Sequence, residues 1–288
     1  MKTMNSTTAD DSFIVTKEYR RFHEFCDACR RDRYIGICYG PAGVGKTLSA
    51  RRYAQWDTFK ALEKLGVKER IFQIPPSFKD SRTIFHTSKV VNSPIKTMNS
   101  IHTDLTLLHK IAYAAEMSEK INENDYEEDS YHTGWLRTFV DDSIDYFELL
   151  IVDEADRLKV PTIEEIRDFY DRNNCGVVLI GMPGIEKKLS RYPQLYSRIG
   201  FAHEFRQLSS QEMLFIMENY FKELNVGLKP NDFTDHEAIT AIANTTRGNF
   251  RLFRRLFTQI KRIMQINNTS TVTKEIVYAA RECLVIGL

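Results

Sequence analysis

Residues Gly40 to Thr47 read Gly-Pro-Ala-Gly-Val-Gly-Lys-Thr, set between the apolar run Tyr34 to Tyr39 and a helix-like stretch that opens near Leu48. No other feature of the chain narrows its fold as far. A glycine-rich loop between a buried strand and a helix N-terminus is the phosphate-binding arrangement of a parallel α/β sheet. Its glycines let the backbone close around an anion so that several N–H groups point inward. Gly40, Pro41, Ala42, Gly43, Val44, Gly45, Lys46, Thr47 and Leu48 are therefore the expected contacts to a nucleoside triphosphate, taken as ATP. Lys46 is expected on its β and γ phosphates, and the Thr47 hydroxyl on a Mg²⁺ ion.

The rest of the pattern fits such a sheet. A helix is predicted over Thr16 to Arg31, where Phe22, Phe25, Cys26 and Cys29 recur at helical spacing and Thr16 is placed to cap. Further apolar runs at Arg70 to Ile74, Glu148 to Val152, Gly176 to Ile180 and Gly200 to Phe205 alternate with helical or loop segments, which predicts five parallel strands covered by helices. Pro75 to Ile101 reads as a long irregular insertion carrying Lys79, Arg82, Lys89 and Lys96. It leads into a helix with Leu105, Leu108, Ile111, Ala112 and Ala115 on one face, and then into an acidic loop at 123–129. Beyond Arg206 the pattern is wholly helical, opening on the capping box Ser209-x-x-Glu212, with segments near Asp235 to Asn244, Asn249 to Ile266 and Thr273 to Val285. The expected organisation is a polar N-terminal tail (1–12), a nucleotide-binding α/β core (13–206) and a small C-terminal helical lid (207–288).

Composition sets the outer bounds. Over 288 residues the formal net charge is only +1, so any polyanion contact has to come from local patches. The five cysteines are odd in number and scattered, and neither a signal peptide nor a long apolar span is visible, which points to a reducing, cytoplasmic setting without a membrane. Cys26-x-x-Cys29 lacks a second ligand pair and sits in an amphipathic stretch, so core-facing thiols are expected there in place of zinc.

Three further constellations carry chemistry. Leu149 to Glu154 is a buried-strand pattern ending in two carboxylates. At the carboxyl end of such a strand Asp153 is placed for the Mg²⁺ held by Thr47, and Glu154 to take a proton from a water lined up on the γ phosphate. Gly176 to Gly181 reads as the adjoining strand, at whose end Met182 stands where a polar γ-phosphate sensor is common. A thioether bonds poorly there, so slow turnover is expected. Arg198, just before the fifth strand, is the candidate for a guanidinium offered to a neighbouring subunit's nucleotide, with Arg191 as its rival. Arg251, in the lid's Gly-Asn-Phe-Arg sequence, is the candidate for a lid arginine folding over the nucleotide.

With phosphate loop, Asp153-Glu154, sensor-like strand, Arg198 and Gly248-Asn249-Phe250-Arg251 in this order, the chain resembles an AAA+ P-loop ATPase from about residue 14 to 285. Ile151 to Leu158, followed by a short helix and the Gly-Val-Val-Leu-Ile-Gly strand, is similar to the transposition regulators of the TniB, TnsC and MuB type. That resemblance implies an ATP-dependent homo-oligomer, filament or ring, on duplex DNA, with a transposase and a target-selector protein such as a TniQ-like one as partners, and ATP hydrolysis driving disassembly. For DNA contact, Thr103 and Thr133 are read as N-caps of helices whose ends could hold backbone phosphates, with Lys96, His102 and His132 beside them. Two other classes stay open: a protein remodeller or helicase loader, disfavoured by the lack of an aromatic-glycine pair between Phe78 and Ile101, and a nucleotide-gated signalling ATPase that does not act on DNA.

Overall fold

The computed structural model describes residues 13–65, 73–118, 147–223 and 233–284. In chain order these form α1 (Lys17–Asp32), β1 (Ile35–Tyr39), α2 (Lys46–Tyr53), α3 (Trp56–Glu63), β2 (Thr83–Thr87), α4 (Pro94–Ser118), β3 (Leu149–Asp153), α5 (Val160–Arg172), β4 (Gly176–Gly181), α6 (Ile185–Leu189), α7 (Pro193–Tyr196), β5 (Ile199–Glu204), α8 (Ser210–Glu223), α9 (Phe233–Thr246), α10 (Phe250–Asn267) and α11 (Lys274–Glu282). Short 3₁₀ turns at Pro76–Asp80 and Ala155–Arg157 complete the set.

The five strands are parallel in the order β2-β3-β4-β1-β5. β3 and β4 are apolar without alternation and buried along their whole length, as strands covered on both faces must be, whereas β5 alternates between half-buried and exposed positions, as suits an edge. The second strand is where the sequence reading fails. It runs over Thr83–Thr87, inside what reads as an irregular insertion, while the expected run at Arg70 to Ile74 falls mostly outside the described residues. Residues 66–72 lie outside the described set, Gln73 is helical, and Ile74 is buried without joining the sheet. Thr-Ile-Phe-His-Thr is a short edge strand flanked by polar residues. Its place is fixed by pairing Thr83 to Thr87 with Leu149 to Asp153, which local pattern does not reveal. α4 likewise starts earlier than expected, at Pro94. Its predicted apolar face does point inward, with Leu105, Leu108, Ile111, Ala112 and Ala115 all buried.

The chain divides into two compact units. One comprises Phe22–Gly40 and Lys46–Glu204 and holds the sheet. Within it the C-terminal part of α1 lies so close to β1 that a Cβ at Gly36 would stand 2.4 Å from Cys29 Sγ and 2.6 Å from Phe25 Cζ, so only glycine fits. The Thr16 cap is present, its hydroxyl oxygen accepting from the Tyr19 N–H at 3.1 Å.

The other unit comprises residues up to Arg21, the loop tip Pro41–Gly45 and everything from Phe205 onward. Its core is helical, with Ile216, Phe221, Ile242, Phe253, Leu256, Phe257, Ile260 and Val277 closely packed, the rings of Phe253 and Phe257 stacked 4.6 Å apart. The Ser209–Glu212 capping box forms as expected, and Glu212 Oε1 also accepts from the Lys17 N–H, tying the N-terminal segment to α8.

No helix among the described residues is long and apolar enough to cross a membrane. All five cysteines are free; Cys26, Cys29, Cys38 and Cys175 are buried, and Cys283 is exposed. Burial pushes the Cys29 and Cys175 thiols up to about 12. Only the thiolate reacts, so native protein at pH 8 is expected to titrate one thiol per chain with a disulfide reagent, and five after denaturation. Rapid labelling of more than one native thiol would contradict the buried placement.

Candidate nucleotide site

Gly40 follows β1 directly, and α2 begins at Lys46, so the phosphate loop is held between a central strand and a helix start. Gly43 (φ +80°) and Gly45 (φ +116°) occupy the left-handed region that side chains avoid, the backbone freedom a loop needs to turn N–H groups toward an anion. Lys46 is buried, and its ammonium donates to the Gly40 carbonyl at 2.6 Å. Burial lowers its pKa, and the nearby Cys38, Asp153, Glu154 and Asp156 draw it partly back up. A buried ammonium bonded to a loop carbonyl is poised to exchange that partner for phosphate oxygens.

The Thr47 hydroxyl donates to Asp153 Oδ2 at 2.8 Å, while Asp153 Oδ1 accepts from the Glu154 N–H at 2.9 Å. Both oxygens are hard donors. Their separation is close to the ~2.9 Å edge of an octahedron with bonds of about 2.1 Å, so the pair fits Mg²⁺ completed by phosphate and water oxygens. When bound, the ion would neutralise phosphate charge and polarise the γ-phosphoryl group. Among the described residues no cluster of three or more His, Cys, Asp or Glu side chains competes for a metal.

Burial raises the Asp153 pKa, with the Thr47 and Glu154 hydrogen bonds acting the other way. The folded chain therefore holds this proton more firmly than the unfolded one. Stability due to protonation is present at low pH and is lost as pH rises through the folded pKa. At neutral pH the ionised carboxylate is a cost that Asp153→Asn removes. The variant is expected to melt above wild type at pH 7.5 in EDTA, with the gap closing toward pH 4, and to lose Mg²⁺-dependent turnover. Differential scanning fluorimetry across pH checks the first part; a lower melting temperature at pH 7.5 would refute it.

Glu154 sits in the left-handed region (φ 55°, ψ 39°), which turns the chain sharply after β3 into the 3₁₀ turn. Its carboxylate is half-buried and pairs with Arg157 Nη2 at 3.4 Å, and Arg157 Nη1 donates to the Ser88 carbonyl at 3.4 Å. Sequence reading did not single out Arg157, although a cation three residues beyond an acid in a helical turn is a signal for such a pair. Asp156 was missed as well. Its Oδ1 accepts from the Met182 N–H at 3.1 Å and would lie 2.8 Å from a Cβ at Gly181, so a carboxylate stands beside the sensor position.

Arg198 pairs with Asp171 and donates to the Gln194 carbonyl of its own chain, and Asp171 also receives Arg167 at 2.6 Å. An exposed pair of this kind is worth under about 1 kcal/mol, so a phosphate could draw the guanidinium away. Arg191 is exposed.

Arg251, the candidate lid arginine, is exposed and falls in the first turn of α10. Its N–H donates to the Gly43 carbonyl at 2.9 Å.

The helix-end DNA cradle is corrected by the structure. Thr103 is not an N-cap: it lies well inside α4, and its hydroxyl donates to the Asn99 carbonyl four residues back at 2.8 Å. His102 Nδ1 bonds the Met98 carbonyl at 2.8 Å and its ring packs edge-on against Phe169. Lys96 is exposed in the first turn of α4. Four-residue spacing had hidden that the helix continues upstream through Pro94, a residue tolerated at a first turn. His132 and Thr133 lie outside the described residues.

The model of a family described as "AAA domain" matches residues 29–189, more than half of the chain and inclusive of the phosphate loop, Asp153 and Glu154. The chain belongs to this AAA family. A "potential ATP-binding protein" of Staphylococcus aureus is 46% identical over 284 residues, covering 98% of this chain and 99% of that one. Among solved structures, the Thermotoga maritima RuvB Holliday junction branch migration motor is similar with a TM-score of 0.55 at 17% identity, over 95% of this chain and 71% of that one. The Aeropyrum pernix ORC1 protein in complex with DNA matches with a TM-score of 0.56 at 17% identity, over 93% and 65%. The Aeropyrum pernix ORC2 protein, solved in ADPNP–ADP complexes, matches with 0.57 at 17%, over 96% and 72%. At these identities the likeness is one of fold: a five-stranded parallel sheet with flanking helices and a helical C-terminal region. The chain is thus an ATP-binding AAA protein.

Proposed function

We propose that this AAA protein is an ATP-switched DNA-binding assembly factor of the transposition-regulator type. With ATP and Mg²⁺ it self-associates on duplex DNA in the cytoplasm and recruits or stimulates a transposase at sites chosen with a target-selector partner. Hydrolysis, with Glu154 as base and Arg198 supplied by a neighbouring subunit, takes the assembly apart. Arg251 reports the nucleotide to the lid.

The observation that carries the DNA reading is α10. From Ala238 to Lys274 the chain holds seven cations and no carboxylate. Phe253, Leu256, Phe257, Ile260 and Met264 take the buried face of α10, leaving Arg251, Arg254, Arg255, Lys261 and Arg262 exposed on the other. Among the described residues no carboxylate pairs with any of these five cations. Such a stripe suits a phosphodiester backbone, which it would hold by charge without reading bases. Lys96 offers a further cation in a segment, Ser81 to Thr103, that also lacks acids. Two of the fold relatives, the branch migration motor and the ORC1 protein solved with DNA, lend the reading support.

Sedimentation with duplex DNA tests it, using a non-hydrolysable ATP analogue, ADP and no nucleotide in parallel. The expected result is a complex of many copies with the analogue and little without, weakening with salt by a slope of about −0.9 per phosphate neutralised. Replacing Arg254, Arg255, Lys261 and Arg262 by Gln is expected to flatten that slope by roughly one per cation engaged. Absence of any complex at low salt would sink the proposal, and analogue-dependent oligomers indifferent to DNA would favour a signalling ATPase.

A further inference from the structure

The phosphate loop has two sides. Its N–H groups converge on the anion, so carbonyls of the same peptides face away and need donors of their own. At the loop tip those donors come from the lid. Asn249 Nδ2 donates to the Ala42 carbonyl at 3.1 Å, and the Arg251 N–H donates to the Gly43 carbonyl at 2.9 Å. Both partners belong to the same compact unit, the one that contains Pro41–Gly45 and the helical C-terminal region.

Asn249 is also the N-cap of α10, its Oδ1 accepting from the Leu252 N–H at 3.1 Å. One amide group thus faces two ways, acceptor toward its own helix and donor toward the loop. The first turn of a helix leaves its N–H groups without intrahelical partners. In α10 the Leu252 N–H is satisfied by Asn249, and the Arg251 N–H by Gly43. Loop and helix therefore complete each other's backbone bonding. The approach is close: a Cβ at Gly43 would stand 2.4 Å from Asn249 Oδ1, so glycine is needed there for the asparagine as well as for its φ of +80°. The turn that delivers Asn249 is itself fixed, with Arg247 (φ 47°) and Gly248 (φ +77°) ending α9, the Gly248 carbonyl accepting from the Leu208 N–H at 3.1 Å, and a Cβ at Gly248 excluded by the Leu208 carbonyl at 2.6 Å.

We infer that Asn249 is a positioning residue that locks the outer carbonyls of the phosphate loop to the first turn of α10, so that release of nucleotide requires this bridge to loosen. The same bridge fixes the backbone of Arg251, the residue whose guanidinium is the candidate for the phosphates. The inference rests on nucleotide binding at this loop and is independent of the DNA proposal.

Chemistry gives a clean separation of the two jobs of Asn249. Serine caps a helix about as well as asparagine but is too short to carry a donor to Ala42, and it adds no charge beside the phosphates. Asn249→Ser is therefore expected to keep the wild-type melting temperature to within about two degrees while losing the bridge. In stopped-flow measurements with full-length protein, release of a fluorescent ADP analogue is expected to speed up about fivefold, the usual worth of one such hydrogen bond. Asn249→Asp keeps the cap too but sets a carboxylate against the Ala42 carbonyl, so faster release still is expected, with a part that salt screens. Hydrogen exchange at the Arg251 amide should rise in both variants without nucleotide. Release at the wild-type rate from both folded variants, with the Arg251 amide still protected, would overturn the inference. Failure of wild-type protein to bind the analogue at all would instead refute the nucleotide site itself.

Discussion

Replacing Glu154 by Gln is expected to lower ATP turnover by roughly two to three orders of magnitude and to leave nucleotide affinity within about threefold of wild type. Gln keeps the size of the side chain and its left-handed backbone demand but cannot take a proton from water. Thr47 and Asp153, the proposed Mg²⁺ donors, bond each other and not the Glu154 carboxylate, so their arrangement should survive. The pair with Arg157 is half-exposed and its loss should cost little stability. Steady-state phosphate release and single-turnover assays read the chemical step; on the proposed function the same variant should remain assembled on duplex DNA with ordinary ATP. A variant that hydrolyses ATP at more than a tenth of the wild-type rate would remove Glu154 from the role of base.

Lys46→Met should weaken ATP binding by roughly ten- to hundredfold, the span expected for losing charge-assisted bonds to phosphate. The effect on the nucleotide-free protein has the opposite sense. Because burial lowers the Lys46 pKa, the folded state disfavours the protonated form, and at neutral pH the charged ammonium is a cost to stability. Met fills a similar volume without charge, so the melting temperature without nucleotide should not fall, while the rise caused by saturating ATP and Mg²⁺ should shrink with the affinity. Isothermal titration and scanning fluorimetry check the two halves. Unchanged affinity would mean that the lysine never leaves the Gly40 carbonyl to meet a phosphate.

Why some of this was legible in the sequence follows from what each feature depends on. β1, β3 and β4 announce themselves because strands covered on both faces are apolar runs whatever their neighbours are, and the alternating edge strand β5 lies one residue from the run read at Gly200 to Phe205. Thr16 and Ser209 are read as caps because capping is a matter of three or four consecutive residues, and both do cap. β2 was displaced because a five-residue edge strand of Thr, Ile, Phe and His owes its conformation to β3, far along the chain. Thr103 was misread because a threonine before an apolar face looks like a cap unless the upstream turns are known to be helical.

The order of phosphate loop, Asp153-Glu154 and the Gly-Asn-Phe-Arg motif is covalent information, and with it the sequence alone determined the parallel-sheet fold class and the binding of ATP. Several matters were decided only by tertiary structure. Arg157 holds Glu154, Asp156 reaches the start of the Met182 turn, Asp171 occupies Arg198, and Asn249 closes the back of the phosphate loop. Each of these is a hydrogen bond or ion pair set by the directions of side chains. Three of them span from 26 to 207 residues of sequence, and distances of that kind are fixed by packing and not by pattern.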